Sequence, residues 1–77
     1  MEQSIDRVLD TKGLNCPLPV LKLKKAMKQV PPGGVLQVLT TDPGAVADFE
    51  AFCRQTGNQL LDAKTEGDVF VFLIQNT

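Results

Sequence analysis

Gly13-Leu14-Asn15-Cys16-Pro17-Leu18-Pro19-Val20 is the stretch that orders the rest of the chain. A cysteine is followed by proline, leucine and proline, and then by a helical pattern. Proline is favoured in the first turn of a helix, where its missing N–H would have had no intrahelical partner. Cys16 is therefore expected at a helix N-cap or within one residue of it. The positive end of the helix dipole would face its sulfur and favour the thiolate, the reactive form. Pro17 and Pro19 lack an N–H, which leaves Leu18 and Val20 as the expected backbone donors of that turn. An arbitrary cysteine is most often a small apolar filler. Two prolines, a helix start and the glycine loop before it argue for a reactive one here.

On the N-terminal side, Ile5 to Asp10 reads as a short strand, and Thr11 to Asn15 as the loop that delivers Cys16. Gly13 lets that loop take backbone angles other residues resist. On the C-terminal side, Pro17 to Val30 reads as a helix. At 100° per residue, Val20, Leu23, Ala26, Met27 and Val30 fall on one arc, the expected core face. Lys24, Lys25 and Lys28 lie away from it, with Lys22 toward its flank. Leu18 and Leu21 also lie off the arc, among lysines and within a turn of the cysteine. They are expected either to pack under a loop or terminus or to form an exposed apolar spot that a partner grips.

Pro31-Pro32-Gly33-Gly34 ends the helix. Val35 to Thr41 is a second strand, rich in β-branched residues. Asp42-Pro43 repeats the start signal, with an acid at the N-cap and proline in the first position. The second helix runs to about Thr56 and stops at Gly57. Ala45, Val46, Phe49, Phe52 and Cys53 share its apolar arc, and Asp48, Arg54 and Gln55 lie opposite. Cys53 is thus expected in the core. Gln59 to Thr65 and Val69 to Gln75 form a hairpin about Glu66-Gly67-Asp68. The last strand is apolar on both faces, as a central strand is. The order β-α-β-α-β-β and right-handed crossovers predict an α/β (α+β) two-layer sandwich: a mixed four-stranded sheet with two helices on one face.

The 77 residues are expected to form a single domain with a modest core. The net charge of −1 argues against nonspecific nucleic-acid binding. Charge is divided, however. Residues 1–40 carry six basic and three acidic side chains, and residues 41–77 carry two basic and six acidic ones. A positive first helix beside an acidic second half suits docking to a charged protein. There are two cysteines, no histidine and no C-x-x-C. Neither a metal site, nor a Cys–His pair, nor the usual dithiol motif is expected, and no cofactor is called for. Met1 to Asp6 has no signal-peptide pattern and no apolar run would span a bilayer, so a cytoplasmic protein is expected, with no membrane partner.

Gly13-Leu14-Asn15-Cys16-Pro17-Leu18-Pro19-Val20 resembles the C-P-x-P signature of the TusA/SirA-like sulfur carrier family. Asp42-Pro43, Asp48 and Phe52-Cys53 resemble it too, as do the size, the element order and the apolar last strand. The resemblance runs from about Val8 to Ile74. It implies that Cys16 accepts sulfane sulfur as a persulfide and passes it to the next protein, a sulfurtransferase activity that works only with partners. The donors it implies are cysteine desulfurases or rhodanese-like proteins. The acceptors are TusBCD/DsrEFH-type complexes, feeding tRNA thiolation or sulfur oxidation. Pro17 and Pro19 carry over as the motif prolines, and Asp42 as a helix cap that could also lie near the sulfur. Lys12, Leu18, Leu21, Lys22, Lys24 and Lys25 are read as partner-binding from their placement, not from the family.

Two other readings compete. One is a binding module without chemistry, touching protein or RNA, since the predicted fold resembles the C-terminal domain of the third bacterial initiation factor. The acidic balance and the lack of exposed aromatics stand against it. The other is a redox protein pairing Cys16 with Cys53, which their expected places, a helix mouth and a core face, oppose.

Overall fold

A computed structural model describes residues 5–77. The reading of Met1 to Asp6 as lacking a signal-peptide pattern falls in part on residues 1–4, which lie outside the described residues. The elements are β1 (Arg7–Asp10), α1 (Leu18–Met27), β2 (Val35–Thr40), α2 (Pro43–Thr56), β3 (Gln59–Glu66) and β4 (Val69–Gln75). The strands form one sheet in the order β1-β2-β4-β3. β1 and β2 are parallel, β2 and β4 antiparallel, and β3 and β4 antiparallel. The mixed four-stranded sheet with two helices is the predicted architecture, and β4 is central as its two apolar faces require.

Leu36, Val38, Phe72 and Ile74 meet Leu23 and Met27 of α1 and Phe49, Phe52 and Cys53 of α2 in one core cluster. Phe49 and Phe72 anchor it edge to face, with ring centroids 5.2 Å apart and planes at 86°. That arrangement is the one the ring quadrupoles prefer.

Boundaries differ where local chemistry intervenes. α1 stops at Met27, before the expected Val30, and the chain tightens through Gln29 N–H to Ala26 O (2.9 Å) and Val30 N–H to Met27 O (3.2 Å). Pro31 disfavours the helical region at the residue before it, so the last turn cannot continue as an α-helix. Val30 is nevertheless buried. α2 ends as predicted: Gly57 takes the left-handed cap at φ 80°, and its N–H reaches Cys53 O at 3.0 Å. β3 carries an irregularity between Leu60 and Asp62 that sequence patterning does not announce.

The parallel pairing of β1 and β2 has the consequence that matters for function. Each of these strands is followed directly by a helix, so α1 and α2 both begin at the same end of the sheet. The carboxyl ends of parallel strands are where α/β folds build their sites.

Candidate functional site

The loop after β1 is stitched to the end of β2. Buried Thr11 donates its N–H and its hydroxyl to the Leu39 carbonyl, at 2.8 and 2.6 Å. Gly13 adopts φ 83°, a region open to glycine at little cost, and its N–H donates to Thr41 Oγ1 at 2.9 Å. The chain then reaches Cys16, whose N–H donates to Asp42 Oδ2 at 2.7 Å. The Cys16–Pro17 peptide bond is cis. Pro17 is the N-cap of α1, which places Cys16 one residue before it.

Asp42 caps α2 as its position predicts: Oδ1 accepts from the Gly44 N–H at 3.0 Å. Its second oxygen is the one that tethers Cys16. A single carboxylate therefore fixes the start of α2 and the backbone of the cysteine loop.

The sulfur lies on the surface of the seam between the helices. Cys16 is exposed and free. Its thiol donates to Asp48 Oδ2 at 2.7 Å. Pro17, Val20 and Lys24 of α1 and its cap, with Asp48, Ala51, Phe52 and Gln55 of α2, line with it a groove of about 260 Å³. A larger hollow of about 690 Å³ continues down the seam and shares Lys24, Phe52 and Gln55, but Cys16 does not line it.

The thiolate expected at the helix mouth is corrected by this geometry. The hydrogen bond to Asp48 pushes the Cys16 thiol up from its ordinary value, with partial desolvation, the Asp48 charge and the Asp42 charge acting the same way. A full negative charge at hydrogen-bond distance outweighs the partial positive charge of a helix end. Nor are both expected N–H donors available, because Leu18 gives its N–H to the Asn15 carbonyl at 2.9 Å. The carboxylate beside the sulfur thus favours the thiol over the thiolate in the resting site.

The remaining candidates divide by location. Leu18 and Leu21 are 47% and 51% exposed, so they do not pack under a described loop. Pro19 is fully buried, which adds to α1 a core contact outside the predicted arc. The lysines do not form one patch. Lys24 lines the groove at the sulfur. Lys22 and Lys25 line a shallow hollow on the other flank of α1, against Arg7, Val8 and Leu9. Lys12 is paired with Asp10 at 3.6 Å, both side chains being half exposed. Cys53 is free and buried in the core whereas Cys16 is exposed, which opposes the redox pairing considered above, and burial pushes the Cys53 thiol up.

Asp48 is the residue that sequence reading left out of the site. It lies opposite the apolar arc of α2, which suggests solvent. In fact α2 has a second contact face, toward α1, and Asp48, Ala51, Phe52 and Gln55 recur along it at intervals of three and four. The signal available was the resemblance itself, which already includes Asp48, beside the absence of histidine from the chain. Cys16, Asp42 and Asp48 converge, yet among the described residues no group of three or more His, Cys, Asp or Glu is arranged to hold a metal ion.

Known proteins resemble this chain over nearly its whole length. The family described as sulfurtransferase TusA matches residues 7–76. The sulfur carrier protein TusA of Allochromatium vinosum is 53% identical over 72 residues, covering 94% of this chain and 95% of that one. The sulfur carrier protein TusA of Pseudomonas aeruginosa is 37% identical over 75 residues, covering 97% and 95%. The crystal structure of a SirA-like protein from Desulfitobacterium hafniense superposes with a TM-score of 0.79 at 25% identity, over 90% of this chain and 95% of that one.

Proposed function

Because the chain belongs to the sulfurtransferase TusA family and is a sulfur carrier, we propose that Cys16 is the atom-level carrier, loaded as a persulfide by one protein and emptied by another. The observation that carries this reading is the position of Cys16. Its backbone is tethered by Asp42 while its sulfur stays exposed at the mouth of the helix seam. The chemistry is exchange between a thiol and a sulfane sulfur, which needs an accessible cysteine and no cofactor.

Gly13, Pro17 and Pro19 shape the turn, and Asp42 holds it. Lys24 at the groove and the exposed Leu18 and Leu21 of the same helix form the surface a partner would meet, with Lys22 and Lys25 adding positive charge on the other flank of α1 and Lys12, paired with Asp10, on the loop before it. Exposed leucines supply apolar anchorage, and the lysines attract an acidic partner face. The donor in this reading is a cysteine desulfurase or a rhodanese-like protein. The acceptor is a TusBCD/DsrEFH-type complex, in tRNA thiolation or sulfur oxidation, within the cytoplasm. Among the described residues no helix is long and apolar enough to cross a membrane.

The test is intact-mass analysis after incubation with a cysteine desulfurase and cysteine. The expected result is one added sulfur on Cys16, removed by reductant and absent from Cys16→Ser. No added sulfur, or sulfur on Cys53 alone, would overturn the proposal.

A further inference from the structure

Loading Cys16 from a protein donor requires its thiol proton to leave, and the chain contains no histidine to take it. We propose that Asp48 is a catalytic residue of the transfer step, holding the Cys16 thiol proton in the resting carrier and relaying it to the departing donor thiolate as sulfur is taken up. The inference rests on the persulfide role proposed above.

The geometry singles out Asp48. Its Oδ2 is 2.7 Å from the Cys16 sulfur, and the side chain is half-buried in the groove wall. Asp42, the other acid at the site, has its two oxygens on the backbone N–H groups of Cys16 and Gly44. Lys24, the cation that lines the groove, is a donor and cannot take a proton while charged. In the free carrier, water can remove the thiol proton. A donor docked over the groove shuts water out, and the acceptor then has to be part of the protein.

The step balances. Cys16 Sγ bonds to the terminal sulfur of a donor persulfide, R–S–S–H. The bond between that sulfur and R–S breaks, and its electron pair leaves on R–S⁻. The thiol proton passes by way of Asp48 Oδ2 to R–S⁻. The products are Cys16–S–S–H and R–SH, with no net oxidation and no proton left over. Delivery runs the same sequence in reverse, the acceptor's thiol proton returning through Asp48 to Cys16.

Asp48→Asn keeps the shape of the side chain and removes its charge and basicity. Two measurements should then move in opposite directions. Alkylation of Cys16 by iodoacetamide, which occurs in open water, should inflect at lower pH than in the wild type, because the charge that raises the thiol is gone. Loading from cysteine desulfurase and cysteine should lose at least about tenfold in kcat, with KM unchanged. Asp48→Glu should recover part of that loss.

An unchanged kcat would overturn the proposal. So would a rise in KM alone, which would make Asp48 a docking contact, or alkylation of Cys53 in Asp48→Asn, which would make it a structural one. Wild-type protein that takes up no sulfur would remove the proposed function and this inference together, whereas a wild type and an Asp48→Asn variant that load alike would remove this inference alone.

Discussion

Asp42 grips Cys16 from another element: its Oδ2 accepts the Cys16 N–H at 2.7 Å while Oδ1 accepts the Gly44 N–H of its own helix at 3.0 Å. The first contact orients the reactive loop and the second starts α2. Asp42→Ala removes both. A lost cap costs about 1 kcal/mol, and a charge-assisted bond to an exposed loop adds less than it would in a core, so urea unfolding should show a total loss of about 1–2 kcal/mol. Sulfur loading should fall too, because the loop is released. Asp42→Asn keeps an acceptor oxygen for the cap and should lose clearly less stability. Equal losses for the two variants would show that the charge, not the hydrogen bonds, is what holds the corner.

The pH dependence of stability follows from the two thiols. Cys16 is raised by Asp48 first, and Cys53 by burial. In both cases the folded protein keeps the proton to higher pH than the unfolded chain does. The associated stability is complete below the unfolded thiol pKa and is lost as pH rises through the folded one. Urea midpoints should therefore decline above about pH 8.5. In Cys16→Ser the Cys16 share of that decline should be missing. Midpoints that rise with pH in this window would contradict the direction assigned to both thiols.

The fold was legible because its punctuation is strong. Pro17 and Asp42-Pro43 announce the two helix starts, Gly57 the second stop, and the doubly apolar Val69–Gln75 the central strand. Cys16 was legible for the same reason, since the motif that starts α1 also exposes it. What resisted reading depends on contacts between segments. Asp48 looks solvent-facing on a helical projection because such a projection knows one buried face, whereas α2 meets both the sheet and α1. The ionisation of Cys16 was misread on similar grounds. The local dipole of α1 is visible in sequence, but the carboxylate that overrides it comes from 32 residues away. Likewise, lysines adjacent in sequence go to opposite flanks, Lys24 to the groove and Lys25 toward β1.

Gly13 tests how tightly the loop is specified. Its φ of 83° is strained for any residue with a side chain, yet a Cβ there would meet nothing within 4 Å. The cost of Gly13→Ala is therefore a backbone cost, about 1 kcal/mol or slightly more. Urea unfolding should show that loss. A loss several times larger would mean that the loop packs more closely than these contacts show.

Leu18 and Leu21 offer the sharpest separation between packing and recognition. Both are about half exposed on α1, so replacing both by serine should change stability by no more than about 0.5 kcal/mol. Their use as an apolar grip predicts a different cost: KM for loading from a desulfurase should rise about tenfold while kcat holds, a change of about 1.4 kcal/mol in docking. Lys24→Glu provides the contrast. Its effect on KM should be large at low ionic strength and shrink as salt is added, because charge attraction is screened, whereas the effect of the leucine substitutions should persist. A double serine variant that loses stability but docks normally would assign the leucines to the fold. One that changes neither would leave the lysines as the whole of the docking surface, and the groove mouth would then be recognised by charge alone.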